Sequence, residues 1–135
     1  MKTKKNHLNA YSLTEILIVL AIIGILIMLV LPNQSSVVSQ AKSIEAQNML
    51  NHVYGLQKNY FFKYSKYAQD LDEIGFEQSK TVSQGGQAVY NIEIIEATLN
   101  SFKARATAEA DFDGDGTFNV WEIDQEKNLK EVTRD

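Results

Sequence analysis

The chain has 135 residues, with 17 acidic against 13 basic side chains, a net charge of −4 and no cysteine. Its acidic balance argues against a nucleic-acid-binding surface, and the missing cysteines exclude a body held by disulfides. Its length allows one modest domain once an N-terminal segment is set aside.

That segment begins with Lys2, Lys4 and Lys5 and reaches Ala10-Tyr11-Ser12-Leu13-Thr14-Glu15. From Ile16 to Leu31 there is then no charge, and only Gly24 interrupts the aliphatic residues. At a helical rise of about 1.5 Å per residue this run spans about 24 Å, and Leu13 extends it towards a hydrocarbon core of about 30 Å. An ionised side chain at the centre of such a span costs roughly 2.5 to 3.5 kcal/mol, and less at its edge. Glu15 stands at that edge, and an isolated intramembrane carboxylate points by default to a partner cation.

The residues alone leave two readings of this segment open. A secretory signal peptide would use the basic start, but the first small-x-small cleavage site, Ser39-Gln40-Ala41, comes only well after Leu31. A single-pass anchor fits the length, and the lysines ahead of the run would leave the N-terminus cytoplasmic with the body outside.

After Pro32, which marks a bend, the spacing predicts an amphipathic helix to about Tyr67. Val37, Ala41 and Ile44 share one stripe, while Met49, Val53, Leu56, Tyr60, Tyr64 and Tyr67 share a second, displaced one. The second stripe is expected to pack on the chain's own body and the first on neighbouring molecules. Residues 68–86 read as a loop with one short helical turn, punctuated by Gly75, Gly85 and Gly86. A sheet follows over 87–135. Tyr90, Ile92 and Ile94 share a strand face, and Phe102, Ala104, Ala106, Ala108 and Ala110 alternate against polar residues in the next strand. These two strands form a hairpin around Leu99-Asn100, and Phe118 to Ile123 and Leu129 to Val132 supply the rest. The fold class is α+β, a long N-terminal helix packed on a small antiparallel sheet of three or four strands.

Asp111-Phe112-Asp113-Gly114-Asp115-Gly116-Thr117-Phe118-Asn119-Val120-Trp121-Glu122 matches an EF-hand calcium loop at every ligand position. Asp111, Asp113, Asp115, Asn119 and Glu122 would offer side-chain oxygens and Thr117 its carbonyl. Hard oxygen donors favour calcium over transition metals. The flanks read as strands rather than helices, so Asp124 competes with Glu122 for the last position, and Asp-Gly pairs also make plain hairpin turns. Nothing looks catalytic: His7 and His52 stand alone, with no nucleophile or paired base.

The run from Tyr11 to Leu26, behind a short basic leader, resembles the N-terminus of type IV pilins and the related type II secretion pseudopilins. Counted from a cut between Ala10 and Tyr11, the aromatic residue, Glu15, Gly24 and Pro32 fall where that family carries Phe, Glu, Gly and Pro. The family has Gly and Phe where this chain has Ala10 and Tyr11, a departure that bears on the efficiency of processing. The resemblance implies a pilin fold and a division into a cleaved leader at 1–10, a transmembrane and filament-core helix at 11–31 and a pilin body at 32–135. It also implies cleavage and methylation by prepilin peptidase, an inner-membrane assembly platform, and a filament of like or related subunits in which Glu15 meets the amine of a neighbour's Tyr11. Loss of the leader lysines would leave ten basic against seventeen acidic residues, a net charge of −7. Some members of the family hold calcium near the C-terminal end of the sheet, where it would brace a body that lacks disulfides. Pilus and pseudopilus are not distinguished at this point. The competing reading is a single-pass, calcium-binding membrane protein that does not polymerise.

Overall fold

A computed structural model describes residues 10–31 and 34–135. The leader at 1–9 and the bend expected at Pro32 lie outside the described residues. Two compact units are present, 1–34 and 35–135.

In the first unit Glu15 and most of the uncharged run that follows it lie in α1, Leu13–Val30. A helix satisfies its own main-chain groups, which an apolar segment needs when water is excluded. Eighteen residues give a length of about 27 Å, and no α1 side chain is buried within the chain. Among the described residues it is the helix long and apolar enough to cross a membrane.

The second unit is built on α2, Gln34–Tyr64. Its buried positions are Ser39, Ser43, Ala46, Leu50, Val53 and Gln57, spaced alternately by four and three so that they share one face. This face is more polar than the apolar periodicity predicts. Met49, Leu56 and Tyr60 flank it half-buried, while Val37 and Ile44 stay exposed. The helix also ends before Tyr67. Ser65 turns left-handed at φ 56°, and Tyr67 leaves the helical path to stack on Phe61 at 4.8 Å and against Phe102 at 4.9 Å. Its amide donates to the Thr98 carbonyl, so aromatic packing and the β-hairpin together decide the helix end.

Residues 68–89 cross to the sheet through two 3-10 turns, Asp72–Ile74 and Val82–Gln84. Gln57, fully buried, ties the start of this crossing to the helix. Its Nε2 donates to the Ala68 carbonyl and its Oε1 accepts the Ala68 amide, a main-chain pairing imitated by a side chain. Gly86 lies so close to Lys80 that a Cβ there would sit 1.9 Å from the Lys80 carbonyl oxygen.

The sheet is an antiparallel meander of β1 (Tyr90–Ala97), β2 (Phe102–Ala108), β3 (Val120–Asp124) and β4 (Leu129–Thr133) in sequence order. In β2, Phe102, Ala104, Ala106 and Ala108 are buried while the intervening residues are half-buried. Cross-strand register sets Ile92 opposite Ala106 and Ala104 opposite Ile123. This face joins Ala46, Leu50 and Val53 of α2 in a single hydrophobic core. The small alanines leave room for the helix on that side.

Candidate functional site

Two places in the chain concentrate the residues that the sequence singles out. The first is the start of α1. Ala10 and Tyr11 precede the helix and are exposed. Ser12 is the N-cap: its hydroxyl accepts the Glu15 amide at 3.3 Å, and Glu15 Oε2 accepts the Ser12 amide at 2.9 Å. This reciprocal capping box satisfies two orphan donors and sets the carboxylate at the positive end of the helix dipole. The Ser-x-x-Glu spacing of this box is visible in the sequence. Further along, a Cβ at Gly24 would meet nothing within 4 Å, so packing inside the chain does not require glycine there.

The second place is the connection from β2 to β3. Asp111, Asp113 and Asp115 converge, with one oxygen from each lying within 4.8 Å of the others. The loop is shaped by its own carboxylates. Asp111 accepts the Gly114 and Gly116 amides at 2.6 and 2.7 Å, Asp113 accepts that of Asp115 at 3.0 Å, and Asp115 accepts that of Thr117 at 2.7 Å. The Gly116 amide, aided by those of Gly114, Asp113 and Asp115 and opposed by desolvation, holds the Asp111 carboxyl below its usual range. At Asp113 the Asp115 amide acts the same way. Desolvation and repulsion from Asp115, Asp135 and Asp111 outweigh it, and the Asp113 pKa is raised.

The later half of the twelve-residue pattern goes elsewhere. Asn119 is fully buried, with Oδ1 accepting from the Tyr90 hydroxyl at 2.8 Å and Nδ2 donating to Glu131 and to the Thr133 carbonyl. Burial pushes the Tyr90 phenol up to about 12, which keeps it a hydrogen-bond donor. Glu122 lies opposite Arg105 and accepts from both its Nε and Nη2, at 2.9 and 2.6 Å. The reason is the flank: a helix after the loop would swing the twelfth position back, whereas β3 alternates its side chains between two faces. Asp124, the alternative for that position, instead accepts the Glu126 and Asn128 amides and organises the β3–β4 turn. Thr117 lies two residues after Asp115, and its amide is held by that carboxylate.

Asp135 was not anticipated. Its carboxylate accepts the Phe112 and Asp113 amides at 2.9 and 3.3 Å, and its main-chain oxygen accepts from the Ser39 hydroxyl at 2.7 Å. One residue thus clasps the acidic loop to α2 across a sequence separation that no local pattern reveals.

No family model matches the chain. Over 68 residues it is 38% identical to the type IV major pilin protein PilA of Myxococcus xanthus (strain DK1622). The resemblance is to type IV pilins. The matched stretch makes up 50% of this chain and 31% of PilA, so the pilin-like chain spans about a third of the length of that relative. A long apolar N-terminal helix followed by a second helix packed on a four-stranded antiparallel sheet is an α+β pilin fold.

Proposed function

We propose that this pilin-like chain is a structural, non-enzymatic subunit of a filament of the type IV pilus or type II secretion pseudopilus kind. In this reading prepilin peptidase cuts between Ala10 and Tyr11, α1 anchors the subunit in the inner membrane with the body on the periplasmic side, and an assembly platform then draws it into the polymer. The observation that carries the reading is α1 itself: an eighteen-residue helix, none of it buried in the chain and uncharged beyond the capped Glu15 in its first turn. Likeness to PilA, a type IV major pilin, supports the filament. Glu15 keeps one oxygen on the Ser12 amide and offers its charge to the amine of a neighbour's Tyr11. Gly24 allows close approach of neighbouring helices, because small residues let apolar helices pack backbone to backbone.

The test is the Glu15→Ala variant in cells. The subunit should still enter the membrane, while sheared filament yield falls by about tenfold or more, since stranding one member of a desolvated pair costs several kcal/mol. Mass spectrometry of the wild-type N-terminus should find a methylated Tyr11; an intact leader together with normal polymer from Glu15→Ala would reject the reading.

We also propose that Asp111, Asp113 and Asp115, with the Thr117 carbonyl, hold a calcium ion. Three hard carboxylates brought within 4.8 Å support it. Asn119 and Glu122 are left out of this ligand set because both are engaged in the sheet. When bound, the ion neutralises the loop; the chain's own part is to present the three oxygens on a loop already fixed by Asp135. Chelator should lower the melting temperature of the body, and an unchanged transition would reject calcium.

A further inference from the structure

Strand β1 is an edge of the sheet, so one row of its main-chain groups faces away from β2. Gln78 identifies that row. Its Nε2 donates to the Tyr90 carbonyl and its Oε1 accepts the Ile92 amide, each at 3.3 Å. By strand alternation the main-chain groups of Ile94 point to the same side. The glutamine amide stands in for one residue of an absent fifth strand. No described side chain caps Ile94 in the same way.

Beside this edge runs a groove of about 670 Å³ between the 69–78 segment and β1. The apolar side chains of its lining are Phe76 and Ile92, both buried, and Leu71 and Ile94, half-buried. Each charged residue lining it is acidic: Asp70, Asp72, Glu77 and Glu93. Glu93 lies opposite Arg105 in register, but the guanidinium turns to Glu122 on the other side.

We propose that this groove binds an extended segment of a partner protein with alternating basic and apolar side chains, which adds to β1 as a short fifth strand at Ile94. The carboxylates fix the sign of the partner's charge, the apolar part of the lining takes its alternate apolar side chains, and the open edge supplies main-chain bonds. Gln78 bounds the pairable edge on one side and the register irregularity between Ile94 and Glu96 bounds it on the other. The added strand is therefore short, and charge supplies much of the affinity. The inference goes beyond the filament reading and does not rest on it.

The test uses the full chain in zwitterionic detergent micelles and a fluorescent heptapeptide alternating lysine and isoleucine. Expected are saturable binding, slowed amide exchange at Ile94, and a loss of about tenfold or more in affinity for the combined Asp70→Asn, Asp72→Asn, Glu77→Gln variant. A second peptide, N-methylated at alternate residues, keeps charge and side chains but cannot donate along one edge, and should bind at least about tenfold more weakly. Equal binding of the two peptides, or binding without a change at Ile94, would overturn strand addition. So would Ile94 protection that rises with protein concentration in the absence of peptide, because the occupant would then be a second copy of the chain. Failure of the chain to polymerise would leave these readouts unaffected.

Discussion

Helix α1 and strand β2 are both rich in small and aliphatic residues, yet one buries nothing within the chain and the other alternates buried with half-buried positions. The difference lies in composition and periodicity together. β2 sorts its apolar residues onto one face and its polar ones onto the other, so a single helix from the same chain can cover it. α1 is apolar all round, and no element of its own unit encloses it; its solvent has to come from a membrane or from other molecules.

The sharpest way to break this contrast is to damage each side separately. Phe102→Ala removes an aromatic ring that is 1% exposed and should destabilise the body by about 3–5 kcal/mol in denaturant unfolding, while membrane insertion stays intact. Leu20→Lys should do the reverse, adding about 3 kcal/mol to insertion and sending the chain to the soluble fraction with the body's melting transition unchanged. If either substitution moved both readouts together, the independence of the two parts would be lost. Asp135→Ala is the smallest of the three. It removes charge-assisted bonds to Phe112 and Asp113 and should cost about 1–2 kcal/mol, read as a lower midpoint of body unfolding and faster amide exchange at those two residues.

What could be read from the residues follows the same division. The face of β2, the inward side of β1 and the apolar span announce themselves because their signals are local and periodic. The end of α2 does not: Tyr67 continues the helical stripe, and only contact with Phe61, Phe102 and Thr98 takes it away. Gln57 and Asn119 are buried polar residues whose partners lie 11 and up to 29 positions away, so nothing in their neighbourhood marks them as interior. The acidic loop falls between these cases. Its first five residues form the cluster that their spacing suggests, while Asn119 is buried just ahead of β3 on Tyr90, Glu131 and Thr133, and Glu122 obeys the strand it has entered rather than the motif it completes on paper. At the start of α1 the capping box was legible but hidden behind a more arresting feature of the same glutamate.

The alanines of β2 carry a consequence for how this protein can change. Ala104 and Ala106 are fully enclosed and share their core with Ala46, Leu50 and Val53, and close-packed interiors feel even one added methylene. A larger residue on the strand would demand a smaller one on the helix, and a lone enlargement should be penalised where the compensated pair is tolerated. Viable descendants of this body would therefore be reached by paired exchanges of volume between strand and helix, with a valley between each pair of steps.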